Sequence, residues 1–181
     1  LNGEVLHTHQ GAGTLEAMRW LPRGEHRVTV GTGGVQGLDV RAIPELGFAQ
    51  FGAHPHVREY GLYDWEFLSK YVLPNLNLMI GGAGDPRELI AHWHAQGKKW
   101  LVHCGVPGIA NAEVGPEQAE RYWREHPGMT DPDLDGVIAD EFYGGDGPQF
   151  TAWTEALRNI AGDPQYRGKS FYPYCGPMYG A

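Results

Sequence analysis

Cysteine is nearly absent from this chain: Cys104 and Cys175 are the only two among 181 residues. They lie in separate segments and form no CxxC pair, so they make neither a disulfide framework nor a zinc site. The redox compartment is left open. Also missing is any apolar run near the roughly 20 residues that a membrane span takes, and no span is expected. Positive charge is scarce as well. Fourteen Lys and Arg stand against 22 Asp and Glu, a formal net charge of −8. A polyphosphate partner needs a basic face, so no nucleic acid partner is expected. The chain begins at Leu1 rather than Met, and the lack of a legible leader therefore carries no weight.

What is present is a globular composition, 41% hydrophobic and 20% charged, with no sign of disorder. Aromatics make up 12% of the chain, with six Trp and nine Tyr. Most such rings fill cores, while some flat rings serve sugar-binding sites as stacking platforms. Trp65, Trp93, Trp123 and Trp153 fall on helical segments, within or beside apolar stripes, and are expected in the core.

The chain has two textures. Residues 1–43 read as the closing strands of a β-sandwich-like domain. Short runs at 13–21, 25–30 and 37–42 are split by the turn signals Leu21-Pro22-Arg23-Gly24 and Gly31-Thr32-Gly33-Gly34. Residues 44–181 alternate between short apolar runs and helical patterns. Strands are expected at 46–51, 76–80, 100–104, 136–139 and 171–175, with helices at 64–73, from Asp85, at 116–125 and from Pro148. Asp85, Pro86 and Glu88 read as a capping box with proline at the first helical position. Such repeated β/α units imply a parallel sheet and an α/β fold. The expected architecture is the N-terminal part of a TIM-type (β/α)8 barrel, about five units long. Either further units lie outside this stretch or the sheet is open. The long loops after the strands, rich in Gly, Pro, His and aromatics, favour the barrel, because barrel enzymes build sites there.

The most informative stretch is Asp133-Leu134-Asp135-Gly136-Val137-Ile138-Ala139-Asp140-Glu141-Phe142, an apolar strand ending in two adjacent carboxylates. Strict alternation sends Val137, Ala139 and Glu141 to one face and Ile138, Asp140 and Phe142 to the other. The small Ala139 suits a crowded barrel interior, so Glu141 is expected to point into the site, with Asp140 in support. A glutamate in a partly apolar pocket suits general acid work near neutral pH. The competing expectation is that both acids merely cap a loop or the next helix.

On these residues the sequence resembles TIM-barrel glycoside hydrolases, many of which carry an acid/base glutamate at the end of strand four. In one clan that glutamate follows Asn; in this chain Asp140 precedes Glu141. Family 18 chitinases read DGxDxDxE on strand four. This chain reads Asp135-Gly136-Val137-Ile138-Ala139-Asp140-Glu141-Phe142, with Ile138 in place of the second acid and the glutamate one position early. The resemblance implies a carbohydrate-active hydrolase acting on an oligo- or polysaccharide, with Glu141 and Asp140 as catalytic candidates, and a secreted or periplasmic location. It also implies an accessory β-sandwich, into which residues 21–30 fit. Glycoside hydrolysis usually takes two carboxylates. In that clan the second lies on strand seven, so residues 1–181 are expected to hold half of the pair.

Several other residues fall at strand ends. His103 closes the third expected strand and is placed to bind substrate hydroxyls or orient Glu141. Gln50, His54, Asn111, Tyr143 and Tyr174 are further substrate-binding candidates, each equally readable as a rim residue without a role. His7/His9, His54/His56 and His92/His94 have HxH spacing. The first pair precedes the barrel, the second is interrupted by Pro55, and the third lies on a helix, where residues two apart diverge. No metal site is therefore expected, and no cofactor. Gly31 to Gly37 reads as a hairpin turn rather than a dinucleotide loop. Gly81-Gly82-Ala83-Gly84 precedes a helix that can hold an anion only weakly. Two alternatives stand beside the glycosidase: a non-catalytic carbohydrate-binding protein on the same scaffold, and a metal-dependent hydrolase using the HxH pairs.

Overall fold

The computed structural model describes the chain apart from residues 7, 9–10, 32–33, 50–55, 58–60, 109–112, 143–146 and 175–181; at 56–57 and 61–62 it describes the backbone alone. Strand β1 (Gly47–Ala49) is followed by an antiparallel hairpin of β2 (His56–Val57) and β3 (Gly61–Leu62), and then by α1 (Trp65–Tyr71). Next come β4 (Leu78–Gly81), α2 (Arg87–Ala95), β5 (Lys99–Cys104), α3 (Pro116–Arg124) and the short α4 (Pro127–Thr130). The described chain closes with β6 (Gly136–Ala139), α5 (Pro148–Gly162) and β7 (Ser170–Pro173). Five strands form one sheet in the order β1-β4-β5-β6-β7, and every neighbouring pair is parallel. The fold is α/β. Spatial order follows chain order without reversal, whereas a doubly wound sheet reverses at a switch point.

Local chemistry sets the boundaries. Asp64 caps α1, accepting from the Phe67 N–H at 2.9 Å. Proline opens α3 and α5, where its missing N–H costs nothing. Before α2, Asp85 accepts from the Gly82 N–H at 2.7 Å, and the helix begins after Pro86. A Cβ on Gly81 would lie 1.9 Å from Asp85 Oδ2, so glycine there is what lets the carboxylate close the turn after β4. Gly136 has φ +136°, and a Cβ on it would meet the Ser170 carbonyl at 1.9 Å. The start of β6 can approach β7 only without a side chain.

The sheet has two apolar faces. On one, Cys104, Val137, Ala139 and Phe171 pack under the helices with Trp123, Trp153, Ala156 and Ile160, while Val102 packs in a second cluster with Ile90, Trp93 and Trp100. Trp123 and Trp153 are fully buried, each contributing about 1.5–3 kcal/mol or more by leaving water. On the other face Leu78, Ile80, Leu101 and Ile138 form a separate cluster joined by Ala49 and Tyr172. Ala49 and Tyr172 belong to the two opposite edge strands. Beside them Glu45 bonds Lys99 Nζ at 2.7 Å and accepts the Tyr172 hydroxyl hydrogen. Four gaps of about 4.8 Å separate β1 from β7 along a flat sheet, roughly 19 Å. That is more than a Glu and a Tyr side chain can bridge, so the sheet curls around this second face.

Among the described residues before Gly47 there is no strand. The apolar runs read as strands leave Val28, Val30, Leu38 and Val40 exposed. A strand exists only where a neighbour takes its backbone hydrogen bonds, and alternation alone supplies none. Trp20 ties this segment to the sheet unit, its ring 5.4 Å from Nζ of the buried Lys98, which also lies 4.3 Å from the Trp93 ring.

Candidate functional site

The carboxyl ends of β5, β6 and β7 bring together His103, Asp140, Glu141 and Tyr174. His103 alternates with Leu101 and so lies on the curled face, opposite Val102 and Cys104. Its Nε2 is 3.4 Å from Asp140 Oδ2, with each side chain a little over one-third exposed. The other Asp140 oxygen accepts from the Glu141 N–H at 2.9 Å.

The facing inferred from strict alternation does not hold. Val137 and Ala139 lie beneath the helices, and Ile138 and Asp140 lie on the curled face. Ala139 is small because Trp123, Trp153 and Phe142 crowd its own layer, not because it lines a barrel interior. Glu141 has φ +56° and is solvent-exposed, so it does not continue the alternation. The hydrogen bonds show why. The Asp140 N–H bonds Cys104 O on β5, while the Phe142 N–H bonds the O of Tyr174, the residue that follows β7. In a regular parallel strand, residues two apart bond the same neighbour; in this strand they switch sides across Glu141. Phe142 consequently drops into the helix layer, 6% exposed, against Trp153 and Phe171.

The other candidates divide. Tyr174 stands at the end of β7, 54% exposed, with its N–H on Ala139 O. Gln50, His54, Asn111 and Tyr143 lie outside the described residues, as do His7, His9 and Cys175. His94 is taken by Asp135 at 2.7 Å, and Asp135 also accepts from the Trp100 N–H at 2.6 Å. Asp135, the first acid of the chitinase-like stretch, therefore pins the amino ends of β5 and β6. It lies five residues before Asp140, about 16 Å along a strand. Among the described residues no group of three or more His, Cys, Asp or Glu could hold a metal ion. Cys104 is buried beneath the helices, and that burial pushes its thiol up to about 12, which removes it as a nucleophile at neutral pH.

Two features were not among the candidates drawn from the sequence. His126, just before α4, has its pKa lowered chiefly by burial and then by the charge of His103. Nothing in its local sequence marks it. The Glu45, Lys99 and Tyr172 cluster was legible in principle, because Glu45 and Lys99 lie an even number of residues from Ala49 and Leu101, which share a face with Tyr172. Glu45 is held below the usual carboxylate range, first by its hydrogen bond with Lys99 and then by Tyr172. The chain matches no family model, no curated protein and no solved structure. Among the described residues no helix is long and apolar enough to cross a membrane.

Proposed function

We propose that the five-stranded sheet is part of a (β/α)8-type barrel, and that its carboxyl-end rim belongs to a carbohydrate-active, glycosidase-like hydrolase. The strand order without reversal and the curl that lets Glu45 reach Tyr172 both support the barrel. One observation carries the functional reading: His103, Asp140 and Glu141 gather where two central parallel strands end, at the edge of the curled face. Carboxylates with an imidazole at that rim are the groups that move protons at a glycosidic oxygen. In this reading Glu141 is the acid/base carboxylate and His103 and Tyr174 contact sugar hydroxyls. Residues 1–43 contribute strands to an accessory β-domain, whose neighbours would cover Val28, Val30, Leu38 and Val40.

The test is release of aryl or reducing-sugar product from a panel of p-nitrophenyl glycosides and polysaccharides, by the full-length protein that carries residues 1–181, which are expected to hold half of the catalytic pair, and by its Glu141→Gln variant. The reading requires turnover, and a loss of about 10²–10⁴-fold in the variant, the usual worth of a general acid or base. Undiminished turnover in Glu141→Gln would remove Glu141 from the chemistry. A second reading, a non-catalytic carbohydrate-binding protein, is favoured by the exposure of Glu141, since an acid catalyst usually works in an apolar pocket. It requires sugar binding that survives the substitution, without turnover in either protein.

A further inference from the structure

We infer that the short helix α4 is an acid-released latch on the start of β6, closed by the neutral imidazole of His126 and opened when that ring takes up a proton. The first N–H groups of a helix find no partner within it. At α4, Pro127 has no N–H, and the Met129 and Thr130 N–H groups reach the His126 carbonyl at 2.8 and 3.1 Å. That leaves the Gly128 N–H, whose acceptor is His126 Nδ1 at 3.2 Å. Nδ1 accepts only while it carries no proton, so in the capped helix the imidazole is neutral with its hydrogen on Nε2. Ser, Thr and Asn cap helices with groups that do not titrate. A histidine makes the cap sensitive to pH near neutrality.

The position of α4 gives the cap its consequence. The helix packs against β5 and β6. Gly128 is buried so close to β6 that a Cβ on it would stand 2.4 Å from the Gly136 carbonyl oxygen and 2.6 Å from Val137 Cγ1. Met129 is buried in the layer that holds Trp123 and Val137. A buried N–H that loses its acceptor is costly, and protonation turns Nδ1 into a donor aimed at the Gly128 donor. The surroundings oppose the imidazolium too. Burial holds His126 below its ordinary value first, and the charge of His103 on β5 second. Tyr122 on α3 lies beside the ring, with centroids 6.5 Å apart, and its phenol, pushed up first by burial, stays neutral. Glu125, the preceding residue, is exposed, and Asp131 at the far end of α4 is paired with Arg87. The α4 segment and Gly136-Val137 bring no titratable side chain. The stability that His126 gives α4 is therefore present above the unfolded value, about 6.5, and is lost as pH falls through the lower folded value.

The experiment follows amide hydrogen exchange and the His126 ring by NMR from pH 7.5 to 4.5, in the unaltered protein, in His126→Asn and in His126→Ala. At pH 7.5 Nδ1 should be bare and Nε2 protonated, and the ring should titrate below about 6.5. Protection of the Gly128, Met129 and Thr130 amides should fall together as pH falls, about tenfold for each unit by which the ring titrates below that value. Asparagine places Oδ1 near the position of Nδ1 and does not titrate, so His126→Asn should keep its protection across the range. His126→Ala should lose about fivefold already at pH 7.5, the usual effect of losing a cap. Protection that is independent of pH in the unaltered protein, or that falls at Gly128 alone, overturns the latch. So does a proton on Nδ1 at pH 7.5, a ring that titrates at or above about 6.5, or an acid loss that persists in His126→Asn. Should His126→Ala not fold, the titration and tautomer of the unaltered protein and the protection of His126→Asn decide. None of these readouts uses a sugar, so the latch and the carbohydrate reading stand or fall separately.

Discussion

Removing one hydroxyl, in Tyr172→Phe, tests the curl of the sheet. The Tyr172 hydroxyl donates to Glu45, whose other oxygen bonds Lys99, and the three residues come from β7, the entry to β1, and β5. A hydrogen bond to a charged group is worth about 1.5–3 kcal/mol when sequestered. The Glu45 side chain, however, is 36% exposed and that of Lys99 44%, so solvent screening reduces the expected loss to about 1 kcal/mol. For a chain of this size that is a fall of about 2–4 °C in Tm. The loss should also depend on pH, with a sign set by Glu45. Its carboxyl is depressed in the folded state. The stability it contributes is therefore present above the unfolded value, about 4.3, and disappears as pH falls through the lower folded value. Urea denaturation at pH 7 and again near pH 3 should show the Tyr172→Phe penalty at the first and a smaller one at the second. A double-mutant cycle with Glu45→Gln should give a coupling of about 0.5–1 kcal/mol at pH 7. Additive effects, with no coupling, would mean that the edge strands do not meet over this face, and the argument for curvature would collapse.

Other substitutions probe the two faces. Ala139→Leu should cost about 1–3 kcal/mol by overpacking the layer that holds Trp123 and Trp153, while Ile138→Leu on the curled face should cost less than about 1.5; the reverse ranking in denaturant melts would restore the original facing. Trp153→Ala should lose about 3–5 kcal/mol, since the ring is fully buried and its Nε1–H donates to Pro107 O at 2.8 Å. Gly136→Ala should cost about 3 kcal/mol by combining a clash with Ser170 O and a disfavoured φ, read by thermal melting. In a Cys175→Ser background, iodoacetamide at pH 8 should leave Cys104 unmodified until denaturant is added, because its thiol titrates only near pH 12.

The positions of the β/α units were legible because each is short, apolar and bounded by proline or glycine. Strand β6 occupies the expected 136–139, and α3 and α5 begin on the expected prolines. Trp93, Trp123 and Trp153 are buried, as their helical spacing implied. What periodicity could not carry was facing. A parallel strand covered on both sides is apolar throughout, so Val137-Ile138-Ala139 fits either assignment, and the side taken depends on tryptophans contributed by distant helices. The turn at Glu141 was hidden for a related reason: it depends on which neighbouring strand receives the Phe142 N–H, a tertiary fact. At Asp85 the bond with the Gly82 N–H depends on Gly81, whose lack of a side chain leaves room for the carboxylate, and that close approach is not visible in the local pattern. Before residue 43 alternation was present without a partner strand among the described residues, and alternation does not make a sheet.

The central claim is that the rim carrying His103, Asp140, Glu141 and Tyr174 binds carbohydrate. It is tested most directly by amide NMR on the isotopically labelled chain, titrated with soluble cello-, chito- and xylo-oligosaccharides. The account requires that at least one of these shift the His103, Asp140, Glu141 and Tyr174 resonances together, while Asp135 and His94 at the opposite strand ends stay still. Shifts confined to other surfaces, or none from any of the three sugars up to millimolar concentration, would contradict it.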